Sequence, residues 1–525
     1  MRQARLIILM CAVITTAHIA FGAKPSTGAN EKSAQLSKLN QFFGLLMNNY
    51  VEDVEPAPLV ESAIRATLKE LDPHSVYYTA EEMKSINETM DGEFSGVGIE
   101  FDVINDTLRV VNTIAGAPAE RVGVMANDRI VRVDSLYIIG VNHSEVPKLL
   151  RGEAGSRVDI EVVRSGENST LNFSIERGKI PINTVDAAYK LNPKSGYIKV
   201  NRFGETTMRE FSEAYKSFGR IDNLVVDLRG NGGGYLHQAV EMANFFLPKG
   251  SLVVTTEGDG VATQELRCKS RGEFEKGRVI VIIDEASASA SEIVAGAIQD
   301  WDRGVVVGQT SFGKGLVQRQ YPMADGSTVR LTIARYHTPS GRVIQRPYTK
   351  GEKDEYYERK RTDVDSLTAP RYKTLRRGRE VYGEGGIIPD IKVVGDTTRF
   401  SDEYSQLIRA GIVNKYTIAY LDKERGELLA KYKTEGEYKS KFEVTEDMIV
   451  QLLDMAKESG SNIEKVDVKA LRSESELYIK ALISRRLYSS SSFFEIMNSR
   501  DTMTFGRIEK LLGNWDAEIK DIWGE

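Results

Sequence analysis

Four short runs rich in valine and isoleucine alternate with longer stretches of helical periodicity between Gly196 and Val394, and this alternation constrains the fold most strongly. A run that is apolar at nearly every position is typical of a strand buried on both faces, which is the situation of a parallel sheet covered by helices. The strand-like runs are GYIKVNRF, NLVVDLRG, VIVIID and GVVVGQ, and the helix-like stretches between them are MREFSEAYKSF, HQAVEMANFFL and SEIVAGAIQD. The sequence therefore predicts an α/β core with a mostly parallel sheet.

The regions on either side of this core have different residue patterns. A chain of 525 residues is also too long for one hydrophobic core, so several domains are expected. Residues 31–91 show helical spacing, residues 92–178 contain short alternating strands separated by Gly and Asn/Asp, and residues 396–525 are helical and highly charged. We expect a helical entry segment, a β-rich module, the α/β core over residues 179–395 and a helical C-terminal region.

The first 22 residues have the pattern of a signal peptide. A basic start is followed by an apolar run and then by small residues, in the order MRQAR, LIILMCAVITTAHIA and FGAK. We expect export to the periplasm or cell envelope; an uncleaved segment that associates with the membrane is the alternative. Removal of this segment would leave Cys268 as the only cysteine, which excludes an intramolecular disulfide.

A net charge of −5 gives no electrostatic basis for a nucleic-acid partner.

A serine-rich turn joins a strand to a helix in VIVIIDEASASASEIVAGAIQD. Small residues at such a turn can expose a hydroxyl at a helix N-terminus, where free N–H groups favour developing negative charge. Composition does not separate the three candidates, Ser287, Ser289 and Ser291. One of them could instead cap the helix, because Glu292 follows Ser289 by three residues.

Two glycine-rich segments accompany the serines. In TSFGKGLVQRQ, Lys314 lies between two glycines, and DLRGNGGGYLHQAVE places a run of glycines between a strand and a helix. Taken alone, each is a turn. Neither segment fits the GxxxxGK[ST] phosphate loop or the GxGxxG dinucleotide motif, and no HExxH or paired Cys/His spacing occurs, so we expect no metal and no cofactor.

The β-rich module carries SGVGIEF followed by APAERVGVMANDRIVRVD, and these segments resemble a PDZ domain. The resemblance implies that the loop formed by Gly96, Val97, Gly98 and Ile99 binds the carboxylate of a peptide C-terminus. It also implies that the peptide adds as a strand to a free sheet edge and that its last, apolar side chain enters a pocket.

The constellation of SASASE, FGKGLVQ and DLRGNGGG resembles the carboxy-terminal processing, or tail-specific, serine peptidases. The resemblance extends over residues 40–394 and implies a PDZ domain inserted in a ClpP/crotonase-like core. It also implies Ser289 as nucleophile, Lys314 as its base and Gln318 as a supporting residue. Oxyanion donors would be the N–H groups of Ala290 and of a glycine in the run, for which we choose Gly233 over its neighbours.

The sequence also permits alternatives to a serine–lysine peptidase. A Ser/His mechanism would have to use His237, the one histidine near the glycine run. A second alternative is a catalytically inactive adaptor or chaperone that binds C-termini. We expect protein or peptide substrates bound by their C-termini, and the helical C-terminal region could also form a homo-oligomer.

Overall fold

A computed structural model describes residues 27–104, 106–164, 166–358, 369–393, 401–460 and 467–524. The predicted signal peptide lies outside the described residues. Within these ranges, no helix combines the length and the apolar content needed to cross a bilayer. The chain divides into two compact units, Met1–Thr67 and Leu68–Glu525.

The N-terminal elements are α1 (Thr27–Asn49), α2 (Pro56–Lys69), β1 (Val76–Tyr78) and α3 (Ala80–Asp91). The helices α1 and α2 form where apolar residues recur at helical spacing. Thr79 caps α3 through a capping box with Glu82. Strand β1 is a difference from the predicted all-helical segment, because the buried Tyr77 extends a sheet of the core instead of a helix.

The following module is a small six-stranded antiparallel sheet with two short helices. Its elements are β2 (Glu93–Gly96), β3 (Ile99–Ile104), β4 (Thr107–Thr113), α4 (Pro118–Arg121), β5 (Arg129–Val133), β6 (Leu136–Tyr137), α5 (Val146–Leu150), β7 (Arg157–Val163), β8 (Leu171–Glu176) and β9 (Gly178–Pro181). The sheet order is β3-β4-β5-β7-β8 with β6 on β5, so β3 is an edge strand. Strands β2 and β9 pair with each other at the base of the module.

The core begins at β10 and contains the predicted alternation. Its elements are β10 (Val185–Asn192), β11 (Ser195–Val200), α6 (Thr207–Ser217), β12 (Asn223–Asp227), α7 (Leu236–Phe246), β13 (Leu252–Gly258), β14 (Val261–Arg267), β15 (Arg278–Ile283), α8 (Ala290–Asp300), β16 (Val305–Gly308), β17 (Leu316–Pro322), β18 (Thr328–His337), α9 (Lys353–Glu358), β19 (Arg371–Lys373), β20 (Glu380–Tyr382) and β21 (Ile391–Lys392).

The main sheet has the order β10-β11-β12-β15-β16-β21, in which all neighbours except β10 and β11 are parallel. The prediction of a mostly parallel sheet is confirmed. A second, antiparallel sheet of order β1-β18-β13-β14, with β17 paired to β18, lies in the same core. The segment that follows Lys314 therefore enters a different sheet from the strand that precedes Ser289.

The last elements are α10 (Asp402–Arg409), α11 (Ile412–Lys431), α12 (Glu435–Lys441), α13 (Glu446–Glu458), α14 (Val468–Leu487), α15 (Ser490–Asn498), α16 (Phe505–Gly513) and α17 (Trp515–Trp523). Helices α10 to α15 share a hydrophobic core of their own. Helix α16 instead packs Phe505, Ile508 and Leu511 on the main sheet, against side chains such as Val225 and Ile280. The alternate side chains, such as Val226 and Val281, face the core formed with α7 and α8. The C-terminal region thus covers one face of the main sheet.

Candidate active site

One cleft of about 1640 Å³ is lined by all five positions that the sequence proposes for the reaction centre. These positions are Gly233, Ser289, Ala290, Lys314 and Gln318. They come from three separate segments, which are the loop after β12, the turn between β15 and α8, and the loop that leads into β17. The fold therefore brings together residues that are up to 85 positions apart.

The three serines of the turn have different environments. Ser287 and Ser291 are fully buried, and their hydroxyls donate to the carbonyls of Leu228 and Asn231 at 2.8 and 2.9 Å. Ser289 is partly exposed and lines the cleft. It occupies the N-cap position of α8 with φ of 55°, a left-handed conformation that a residue with a side chain rarely adopts. Geometry thus distinguishes a serine that composition alone could not.

Glu292 joins the serine turn to the lysine loop. Its buried carboxylate accepts from the N–H groups of Ser289 at 2.7 Å, Gly313 at 2.6 Å and Lys314 at 2.9 Å, and from the Ser311 hydroxyl at 2.6 Å. Burial raises the pKa of Glu292, and the four hydrogen bonds act in the opposite direction. The carboxylate fixes the backbones that carry Ser289 and Lys314 relative to each other.

The Lys314 side chain lies in a setting that favours the neutral amine. Burial, with the nearby Arg330 guanidinium as the next cause, lowers the pKa of Lys314 to about 8, while Glu292 and Asp72 act to raise it. A lysine can serve as a general base only when a substantial fraction of it is neutral near the working pH. This side chain meets that requirement without a histidine.

Gln318 lies on β17, in the strand that follows the Lys314 loop, and a hydrogen bond fixes its side-chain amide. The Gln318 Nε2 group donates to Thr332 Oγ1 at 3.3 Å, and the Thr332 hydroxyl donates to Asp72 Oδ1 at 2.9 Å. Because the amide is uncharged, Gln318 can orient an amine without stabilising its charged form as a carboxylate would.

The glycine run touches the serine turn directly. Gly233 has φ of 100°, and a Cβ atom there would lie 2.8 Å from Ser289 Cβ, so only glycine fits. The Gly233 N–H donates to Asn231 Oδ1 at 2.9 Å, and this donor is therefore engaged. The Ala290 N–H, by contrast, donates to no other residue among those that the structure describes. Of the two predicted oxyanion donors, only Ala290 is open in this conformation.

The histidines are placed unfavourably for a Ser/His mechanism. His237 lines the cleft, but it is half exposed, its Nε2 lies 3.2 Å from Glu205 Oε2, and its ring stacks on Tyr235. His74 is buried, and burial, aided by the Lys314 charge, lowers its pKa to about 3. His74 is therefore neutral and is held between tyrosine hydroxyls.

The predicted carboxylate-binding loop of the β-rich module carries two backbone N–H groups without a described acceptor. Gly98 has φ of 79°, and a Cβ atom there would lie 2.3 Å from Ala117 Cβ. Val97 and Gly98 are buried, and their N–H groups donate to no partner in the described ranges, although their carbonyls accept. The loop leads into the edge strand β3, whose first residue, Ile99, is partly buried and packs against the core of the module, as does Leu149 of α5.

Sequence reasoning overlooked part of this site. Asp72 and Thr332 received no role, and Glu292 was considered only as a capping residue. The sequence holds a signal for Asp72, because this residue lies in LDPHSVYYTAEE, a segment before the β-rich module that also resembles the carboxy-terminal processing peptidases. Thr332 lies in a second segment of this kind, LTIARYHTPSGRVIQ, but nothing in that segment distinguished Thr332 from its neighbours.

Comparison with known proteins agrees with this architecture. The profile of peptidase family S41 matches residues 194–357, and that of the PDZ domain matches residues 95–175. Residues 15–82 match the N-terminal domain of the activating protease CtpB, and residues 403–489 match a family of unknown function.

Individual relatives extend over most of the chain. The carboxy-terminal processing protease CtpA of Bacillus subtilis is 32% identical over 378 residues, which are 69% of this chain and 80% of that protein. The carboxy-terminal-processing protease of Bartonella bacilliformis is 35% identical over 65% of this chain and 80% of its own length. Among solved structures, the photosystem II D1 C-terminal processing protease is 26% identical over 70% of this chain and 89% of its own, with a TM-score of 0.36. The chain belongs to peptidase family S41, and it is a carboxy-terminal processing serine peptidase with a PDZ domain.

Proposed function

We propose that this peptidase works through a serine–lysine dyad, with Ser289 as nucleophile and Lys314 as its base. The observation that carries the proposal is the shared cleft, in which the one accessible serine of the turn lies with a buried lysine of lowered pKa. Glu292 fixes the backbones of both residues. The neutral amine of Lys314 is sufficient to accept the serine proton, and no histidine or carboxylate is needed for this step.

The reaction proceeds in two acyl-transfer steps. Ser289 Oγ attacks the scissile carbonyl carbon while Lys314 Nζ takes the hydroxyl proton, and this proton then passes to the leaving amine as the C–N bond breaks. Water then attacks the carbonyl carbon of the acyl-enzyme and gives a proton to Lys314, and the lysine passes that proton to Ser289 Oγ as the ester bond breaks and the acyl product leaves. The Ala290 N–H binds the oxyanion, joined by the Gly233 N–H once its bond to Asn231 is released.

We propose that substrates are captured by their C-termini at the loop of Gly96, Val97, Gly98 and Ile99. Unpartnered, buried N–H groups are suited to a carboxylate, and the adjoining free edge of β3 is suited to strand addition. Tail capture concentrates the upstream polypeptide at the cleft.

We also propose the following domain boundaries: a mostly helical segment at 31–91, the PDZ domain at 92–178, the peptidase core at 179–395 and the C-terminal region at 396–525.

The dyad is tested by cleavage of an unfolded reporter that ends in an apolar residue. Ser289→Ala should abolish turnover, a loss on the order of 10⁶-fold, because the nucleophile is removed. Lys314→Ala should reduce kcat about 10²- to 10⁴-fold, because the general base is removed. His237→Ala is the matched control and should keep activity. Normal cleavage by Lys314→Ala together with loss in His237→Ala would contradict the dyad.

Tail capture is tested with the same reporter carrying an amidated C-terminus. Removal of the carboxylate should raise KM about 10- to 100-fold, since hydrogen bonds to a charged group are lost. Equal KM values for the two reporters would reject the PDZ role. The inactive adaptor would bind the free tail and cleave neither reporter, but no observation favours it.

We further propose that the N-terminal segment directs export to the periplasm or cell envelope. Cell fractionation, with mass measurement of the native chain, distinguishes a cleaved signal from a retained membrane anchor. Homo-oligomer formation stays a prediction, which sedimentation of the purified chain will test.

A further inference from the structure

A buried turn from the N-terminal part of the chain lies behind the cleft. Asp72 and Ser75 are 7% and 1% exposed, although both are polar. Strand β1 begins directly after this turn and pairs with β18, with Val76 opposite Arg330. The turn is thus held against the strand that carries Thr332.

The Asp72 carboxylate organises the turn. It accepts from the N–H groups of His74 at 2.8 Å and Ser75 at 3.0 Å, and from the Ser75 hydroxyl at 2.5 Å. Its remaining contact leaves the turn, since the Thr332 hydroxyl donates to Oδ1 at 2.9 Å. Burial raises the pKa of Asp72, but these hydrogen bonds outweigh burial and lower it, so the carboxylate stays ionised.

Thr332 transmits this arrangement to Gln318. A hydroxyl has one proton, and that of Thr332 is donated to the ionised Asp72, so its oxygen can only accept from the Gln318 amide. The Thr332 N–H donates in turn to Ser75 Oγ at 3.1 Å. The Nε2 end of Gln318 is thereby directed to Thr332, and its Oε1 remains as the acceptor that the amide offers elsewhere.

We propose that Asp72 and Thr332 are positioning residues for the peptidase reaction, which set the Gln318 amide so that its oxygen can hold the amine of Lys314. The inference rests on the proposed dyad, because the orientation of Gln318 matters only if Lys314 is the base. Neither residue touches the substrate. Both act through the hydrogen-bonded chain that runs from the turn to β17.

Asp72 also contributes to the electrostatics of Lys314. The charged groups that act on this lysine are Arg330 from β18, Glu292 from α8 and Asp72 from the turn. The neighbouring His74 is neutral because burial holds its pKa near 3. Removal of the Asp72 charge should therefore lower the pKa of Lys314 and increase the neutral fraction at a given pH.

The first test compares Thr332→Val, which keeps the shape and deletes the hydroxyl, with Thr332→Ser, which keeps the hydroxyl. On the unfolded reporter, the valine variant should lose about tenfold in kcat with KM nearly unchanged, and the serine variant should retain most activity. Combined with Gln318→Ala, the valine change should cause no further loss. Wild-type kcat in Thr332→Val, equal losses in both threonine variants, or multiplicative losses in the double variant would overturn the inference.

The second test is the pH profile of kcat/KM for Asp72→Asn. Its midpoint should move to lower pH than that of the wild-type chain, whereas mere structural damage would lower the rate at every pH without moving the midpoint. An unmoved midpoint would overturn the inference. The two proposals can be rejected independently. If Ser289→Ala still cleaves the reporter, the dyad is wrong. If Ser289→Ala is inactive and Thr332→Val has the kcat of the wild type, only the positioning role is rejected.

Discussion

The turn that carries Ser289 and the loop of the PDZ domain both collect buried backbone N–H groups, and they differ in what those groups bind. In the peptidase core, the N–H groups of Ser289, Gly313 and Lys314 donate to the carboxylate of Glu292. In the PDZ domain, the described residues offer no acceptor to the N–H groups of Val97 and Gly98.

This difference distinguishes a site that stabilises the structure from a site that is suited to substrate binding. A carboxylate supplied by the chain itself locks two loops together permanently, which suits a reaction centre that needs fixed geometry. A concavity left open can take a carboxylate from outside, which suits capture and release of a substrate tail. The two sites therefore use the same chemistry. Where the carboxylate belongs to the chain the site is structural, and where it must come from another molecule the site is suited to binding.

The largest effect is expected from breaking the internal carboxylate site. Glu292→Ala leaves buried N–H groups without acceptors and should lower the free energy of unfolding by at least about 3 kcal/mol, because each unsatisfied group costs about 1–3 kcal/mol. Activity should fall with it, since the two loops are no longer joined. Urea unfolding and reporter cleavage measure both effects. Glu292→Gln, which keeps one acceptor oxygen, is the matched control and should be less damaged; equal stability of Glu292→Ala and the wild type would contradict the structural role.

A smaller effect is expected from closing the open site. Gly98→Ala places a Cβ atom where φ is 79° and Ala117 is in the way, a strain of about 1–3 kcal/mol. KM for a reporter with a free apolar tail should rise, and cleavage of a tail-amidated peptide should be nearly unchanged. The comparison of the two sites would be wrong if both substrates lost activity equally while the variant remained folded.

The smallest effect concerns the attachment of the PDZ domain to the C-terminal helices. Arg109 of β4 forms an ion pair with Asp422 of α11. Asp422→Asn should lower the free energy of unfolding by about 1 kcal/mol, because the pair is partly buried and the asparagine keeps an acceptor oxygen for Arg109 but loses the charge. Urea midpoints measure this change, and kcat on a tail-amidated peptide should equal that of the wild type. A change as large as that of Glu292→Ala would mean that this contact is part of the core structure.

Much of the architecture could be predicted from the sequence because burial on both faces leaves a direct trace. Runs such as NLVVDL have no polar side to present, so a covered parallel sheet is the natural outcome. The same reasoning could not find β1, since three residues carry too little periodicity, and Tyr77 joins its sheet through a partner more than 250 positions away. The role of α16 as a cover for the main sheet depended equally on contacts distant in sequence.

The site could be predicted in part. Ser289, Lys314 and Gln318 came from resemblance, because composition could not choose between Ser289 and its neighbours. The distinction lies in which hydroxyl is buried and bonded, a property of the folded chain. The engagement of the Gly233 N–H by Asn231 is also a tertiary detail that a glycine run does not reveal.

The most direct test of the account is the pH dependence of kcat/KM for the wild-type chain on the unfolded reporter. A lysine base must be neutral, so activity should rise with pH and reach half its plateau near pH 8, where burial places the pKa of Lys314. A midpoint near the ordinary lysine value of 10.5 would contradict the account, because the amine would then be solvated and charged instead of buried in the cleft that Ser289 lines.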